Sequence, residues 1–162
     1  MAYEGSYIWQ LRQSVGSRML VVPGAQVVVV DESDRVLFQR RLDSGLWELP
    51  GGAAEPGSTF RETAAQELFE EAGLRVEPAD LVPFGSLSEP EVHVISYPNG
   101  DQIHAFSLIF EARRWTGDLK LGLDEVLEAA FFEEAPEPLQ PQSQVVWEMY
   151  SAFRATGAFQ GR

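Results

Sequence analysis

The sequence predicts a single α/β domain, and three observations carry that expectation. Apolar runs at residues 19–30, rich in valine, 36–40 and 103–112 read as strands. Residues 59–72 and 144–155 instead repeat their apolar positions at helical spacing, so strands and helices alternate along the chain. The chain has 162 residues, 44% of them hydrophobic, which supplies one packed core and is short for two. Residues 1–162 are therefore read as one domain, with an N-terminal extension over about residues 1–18 and no internal repeat.

The elements follow in order. Residues 7–12 mix aromatic and aliphatic positions as a short amphipathic helix ending near Gly16, and the Tyr7 to Leu11 stretch is a candidate for packing across a homodimer. Pro23-Gly24 divides residues 19–30 into an edge segment and a buried strand. The polar turn Asp31-Glu32-Ser33-Asp34 then predicts an antiparallel partner at residues 36–40, with Arg40 and Arg41 at its exit. Residues 42–58 are dense in turn formers, anchored by Trp47 and Leu49. Thr59 and Glu62 form a capping box, and Gly73 is placed for a left-handed C-terminal cap. Strands are expected at 81–87, 92–97 and 103–112. The Asn99-Gly100 pair predicts a two-residue turn that sets His93 opposite Phe106 and Ile95 opposite His104. A short strand at 129–132 and a helix at 144–155 close the chain.

Charge narrows the function. A net charge of −13 has the wrong sign for bulk attraction to nucleic acid or an anionic membrane, so an anionic substrate needs an intervening cation. The absence of cysteine excludes disulfides, thiolate metal sites and a cysteine nucleophile. No leader-like or membrane-length apolar run is present, and a cytoplasmic location is expected. Within the helix at 59–72, Ala64, Ala65, Leu68, Phe69 and Ala72 share one arc, read as the buried face. Glu67, Glu70 and Glu71 fill the adjacent arc. Their mutual repulsion of about 0.2–0.5 kcal/mol per pair would be reversed by a hard divalent cation. The cluster alone reads first as a solvated acidic face.

The order of motifs around that helix separates the two readings. Trp47-Glu48-Leu49-Pro50-Gly51-Gly52, then Glu55-Pro56-Gly57, then Glu67-Leu68-Phe69-Glu70-Glu71-Ala72-Gly73-Leu74 resembles the Nudix hydrolase superfamily of MutT-like proteins, with the box over residues 52–74. Gly52, Glu67, Leu68, Glu70, Glu71, Gly73 and Leu74 fit the box, whereas its first glutamate falls on Ser58 and its arginine on Gln66. The resemblance implies a mixed β-sheet between helices, an α/β/α sandwich. It also implies metal-dependent hydrolysis of the diphosphate linkage in a nucleoside diphosphate derivative, with nucleoside triphosphates ahead of nucleotide sugars or capped RNA. By the same resemblance Mg²⁺ or Mn²⁺ is held by Glu67, Glu70, Glu71 and the Gly52 carbonyl, and Glu125 is an accessory ligand or base, with Glu128 as its alternate. Arg40, Arg41, Gly51 and Gly52 are the substrate-binding candidates. Ser58 and Gln66 are expected to pair as a neutral replacement for the family's charged contact. Their presence keeps a second reading open, a catalytically attenuated nucleotide-binding or sensing module. His93 and His104 are read first as structural residues, as are Tyr97, Phe106 and Trp115 against base stacking.

Overall fold

A computed structural model describes residues 4–97, 99–122 and 126–162. Helix α1 (Tyr7–Val15) precedes β1 (Leu20–Val29), β2 (Val36–Arg41), β3 (Trp47–Glu48) and β4 (Gly51–Ala53). Helix α2 (Phe60–Ala72), β5 (Val82–Leu87), α3 (Pro90–His93), β6 (Val94–Ser96) and β7 (Gln102–Ala112) follow. Strand β8 (Val126–Phe132), helix α4 (Pro141–Thr156) and β9 (Gln160–Gly161) complete the order. Strands β4-β1-β7-β5-β9 lie side by side in a six-stranded mixed sheet, with β6 paired to β7, while β3-β2-β8 form a second, three-stranded sheet.

Residue alternation along the strands builds a layer on each face. Ala25, Val27 and Val29 of β1, with Leu37, pack against Ala64, Leu68 and Ala72 of α2. Val28, Val36 and Phe38 point the other way, onto Val145, Val146 and Met149 of α4. The result is the expected α/β/α sandwich. The small sheet meets α4 through an edge-on contact of Phe38 with Trp147, 5.8 Å between ring centroids, and within the sheet Trp47 packs edge-on against Phe132 at 4.9 Å.

Several expectations change. Residues 20–29 form one unbroken strand despite Pro23. The Pro23 carbonyl accepts from the Ala54 amide, so the missing N–H faces the side where β4, paired only from Gly24 to Gln26, has ended. Strands β1 and β2 are not a hairpin but share a single bridge, Val30 to Val36. The Asp31 carboxylate accepts from the Ser33 and Arg35 amides and Asp34 takes φ 61°, and past that tight turn β2 pairs with β8 over Val36 to Arg41.

The β6–β7 register is one residue away from the expected one, with Val94 opposite His104 and Ile95 opposite Ile103. Tyr97 and Asp101 close the turn, and Gly100 with φ 87° supplies its left-handed position, so the loop is longer than the Asn-Gly pair. Residues 90–93 are helical, so Val92 and His93 are not extended as expected. Helix α2 is capped as expected, with both arms of the Thr59–Glu62 box formed and Gly73 at φ 74°. Its buried face is rotated, however. Phe69 is exposed beneath the Arg75 guanidinium, 3.9 Å from its ring centroid, while Thr63 and Glu71 are buried.

Candidate active site

The site forms where the acidic edge of α2 meets the short edge strand β4. Gly51 and Gly52 pair with Gln26 and Ala25 of β1, and neighbouring strand residues face opposite sides of a sheet. A Cβ on Gly52 would lie 2.3 Å from Oε1 of Glu67. One on Gly51 would meet the Ala25 carbonyl at 2.5 Å and Cγ of Gln26 at 2.8 Å. The two bare Cα atoms therefore let Glu67 fold against one side of the sheet edge and Gln26 against the other.

Glu71 is buried, and its Oε2 accepts a 3.0 Å hydrogen bond from the Gly51 amide. Burial raises its pKa well above the usual carboxyl range, and the neighbouring Glu48 and Glu67 carboxyls add to the rise. Glu48, also buried, is raised by the same desolvation and drawn back by Arg41, whose Nη1 lies 3.0 Å from its Oε1. Arg41 in turn donates through Nε to Asp43 at 2.8 Å, and these carboxylates lock its charged form. The Gln39 carboxamide faces both Glu48 and Glu71 and eases their charge, yet neither of its polar atoms reaches a well-aligned hydrogen bond. Glu70 is turned along the helix, where its Oε1 accepts from Gln66.

Among the described residues no three acidic or histidine side chains converge into a preformed metal cluster. The donor set nonetheless fits a hard cation. Buried Glu71 and Glu67 repel one another, Glu71 is engaged by the Gly51 amide through Oε2, and Gly52 leaves the space into which Glu67 folds. The Gly52 carbonyl is uncrowded because Gly24, where a Cβ would come within 2.6 Å of it, has none.

Not every candidate comes to this place. Arg41 lines the cleft, but Arg40 alternates to the opposite face of β2, where it pairs with Glu128 at 3.0 Å and lies 5.9 Å from the Trp47 ring centroid. Ser58 and Gln66 both line the cleft without pairing, because Glu70 one turn on is the nearer partner for Gln66. Glu125 lies outside the described residues. The chain before it returns to the helix, with the Gly122 amide bonded to the Glu71 carbonyl. His93 is buried with Nδ1 3.0 Å from the Leu87 carbonyl, and burial lowers its pKa. His104 Nε2 lies 2.8 Å from the Ser88 carbonyl. Trp115 stacks on Phe131 and donates to the Val30 carbonyl, a packing role.

The cleft, about 1010 Å³, continues from Glu67 past the glycines onto the β1–β7 face. Helix α1 forms part of its wall through Ile8 and Arg12. Its first amide, on Tyr7, donates to both Glu55 carboxylate oxygens at 3.0 and 3.1 Å, and Arg12 donates to the Gln102 carbonyl at 2.7 Å. Sequence reasoning missed this wall, and it missed Glu48 and Gln39. The available signal was a charged residue held between the core anchors Trp47 and Leu49.

Fold and site together define an α/β sandwich protein that sets helix carboxylates against a glycine turn at a sheet edge. The NUDIX domain family matches residues 21–153, and the chain belongs to that family. A MutT-like protein of Streptomyces ambofaciens is 50% identical over 54 residues, 33% of this chain and 35% of that protein. Nucleoside triphosphatase NudI of Salmonella heidelberg (strain SL476) is 26% identical over 129 residues, 78% of this chain and 84% of that one. In fold, the chain resembles the MutT NUDIX hydrolase from Burkholderia pseudomallei, with a TM-score of 0.65 at 20% identity over 80% of this chain and 98% of that chain. The curated relatives of 46% and 50% identity are matched over only 34% and 35% of their own length. Helix α1 precedes the family match.

Proposed function

We propose that the protein hydrolyses the diphosphate linkage of a nucleoside diphosphate derivative, a nucleoside triphosphate before others, with Mg²⁺ or Mn²⁺. The observation that carries this reading is the placement of the buried Glu71 and the adjacent Glu67 against the Gly51-Gly52 edge. Glu67, Glu70, Glu71 and the Gly52 carbonyl are the proposed ligands, with Glu125 as the accessory acid. A divalent cation bound there supplies charge neutralisation of the diphosphate and a more acidic water. Gly51 holds one Glu71 oxygen in place, Arg41 offers a guanidinium to substrate phosphate, and the bare Cα of Gly52 leaves room for the Glu67 carboxylate. The triphosphatase name of the Salmonella relative, matched over most of both chains, supports the substrate class.

A second reading is favoured by Gln66, which ties up Glu70 where the family pattern has an arginine: a nucleotide sensor with little turnover. Incubating the purified protein with nucleoside triphosphates and nucleotide sugars in Mg²⁺ or Mn²⁺, and measuring released phosphate and pyrophosphate, separates the two. Turnover supports the hydrolase. Thermal stabilisation by nucleotide without turnover supports the sensor.

The two arginines give a sharper kinetic expectation. Arg41→Ala removes a charged donor from the cleft and should lower kcat/KM by about 10- to 100-fold, whereas Arg40→Ala should stay within about twofold. Steady-state kinetics on both variants test this, and equal losses would put Arg40 back in the site.

A further inference from the structure

The cleft extends well beyond the acidic end, and its far part has a chemistry of its own. Val22, Gly24 and Gln26 of β1 and Ile103, Ala105 and Ser107 of β7 all line it. They alternate along their strands, and the parallel register sets Val22 beside Ala105 and Gly24 beside Ser107, so all six share one sheet face. The floor is flat and largely apolar because Gly24 and Ala105 project little. It carries two polar groups. The Gln26 carboxamide oxygen is buried with no hydrogen-bond partner, a state that native interiors rarely leave unanswered. The Ser107 hydroxyl stands over Gly24, where a Cβ would be 3.6 Å from it. Gln26 also passes directly over Gly51, so this face joins the sheet edge that carries Glu71.

Phosphate oxygens are answered by charged groups, and both polar groups on this floor are neutral. A carboxamide presents an acceptor and a donor side by side, the pairing by which glutamine reads the edge of a base. We propose that Gln26, assisted by Ser107, reads the hydrogen-bonding edge of a planar heteroaromatic base lying on the Gly24–Ala105 floor, and so sets the base preference of the site. The assignment rests on the nucleotide reading given above. In it, the diphosphate occupies the Glu67–Glu71 side of the sheet edge and the base the Gln26 side of the same continuous cleft.

Binding, not turnover, is the test. Titration calorimetry in Mg²⁺ uses non-hydrolysable α,β-methylene triphosphates of adenosine, guanosine, cytidine and uridine, with methylenediphosphonate as the base-free probe. The wild-type protein should favour one base by about tenfold or more. Gln26→Met, close in volume, should compress that spread to about twofold and leave methylenediphosphonate affinity unchanged, and Ser107→Ala should weaken the favoured base by a few fold. Gln26→Glu keeps the acceptor and loses the donor, so its preference should move toward bases with an exocyclic amino group. Circular dichroism melting confirms that each variant is folded. An unchanged base spread in Gln26→Met, or an equal loss for the base-free probe, overturns the proposal. If the spread collapses but the wild type turns over no substrate, the base reader stands and the hydrolase reading falls. If no nucleotide binds, both fall.

Discussion

Glu71→Gln is expected to lower turnover at saturating Mg²⁺ by at least about 10²-fold with the fold intact, and Glu70→Gln to do the same. The substitution removes a charge at nearly constant volume, and the amide oxygen still accepts from the Gly51 N–H that now holds the carboxylate. Stability supplies a second readout. In the metal-free protein, burial and the Glu48 and Glu67 carboxyls raise the Glu71 pKa, so the folded chain holds that proton more tightly than the unfolded one. The stabilisation is fully present below the ordinary carboxyl value of 4.5 and is lost as pH rises through the folded value. The wild-type melting temperature should therefore fall relative to Glu71→Gln as pH increases from about that point. His93 acts in the opposite sense, since its lowered pKa costs stability as pH falls through 6.5, but it is common to both proteins and cancels in the comparison. Thermal melts of both proteins in chelator between pH 4 and 8 decide the matter. Parallel curves, or full turnover in the variant, would remove Glu71 from the charged centre.

The paired glycines should fail in different ways. A methyl group on Gly51 meets backbone, the Ala25 carbonyl at 2.5 Å and the Gln26 Cα at 2.9 Å, so Gly51→Ala must prise β4 from β1. A loss of about 1–3 kcal/mol is expected, together with activity, because the Glu71 hydrogen bond sits on the same residue. On Gly52 the nearest atoms to the methyl belong to the Glu67 carboxylate, which can rotate away. Gly52→Ala should stay within about 0.5 kcal/mol of wild type and still lose on the order of 10²-fold in kcat, because the displaced carboxylate is a proposed metal ligand. Urea denaturation beside steady-state kinetics separates the two outcomes. An active Gly52→Ala variant would show that Glu67 works from some other position.

What could be read in the sequence was whatever neighbouring residues decide. The Thr59–Glu62 box, the Gly73 cap and the ordered motif from Gly52 to Leu74 need only local geometry, and helix, box and family follow from them. Errors arose where distant partners choose among locally equal options. Asn99-Gly100 admits more than one turn closure, and the pairing that forms places Val94 opposite His104. A helical wheel puts Phe69 and Glu71 at opposite flanks of the apolar arc, and only the docking of α2 on β4 shows which flank is buried. The turn after Asp31 correctly implied that the chain reverses, but β2 takes β8 as its ladder partner and keeps only the Val30–Val36 bridge to the preceding segment. Ser58 and Gln66 line one cleft, and the competitor that separates them, Glu70, lies on the same helix. Arg40 and Arg41 are adjacent in sequence, and strand alternation alone sends one to Glu128 and the other to Glu48.

The division of the strands between two sheets has a mechanical result. Arg41 and Glu48 ride on the small sheet, whereas Gly51, Gly52 and the helix they face belong to the large one. The site is a seam between two bodies, and the small body is seated on α4 by rings on the far side from the chemistry. A slight tilt there acts as a lever on the guanidinium, and a displacement of about 1 Å at reacting groups can alter rate by about 10²-fold. Phe38 and Trp147 thus act as alignment screws, whose trimming would detune the proposed contact of Arg41 with phosphate while most of the fold remained in place.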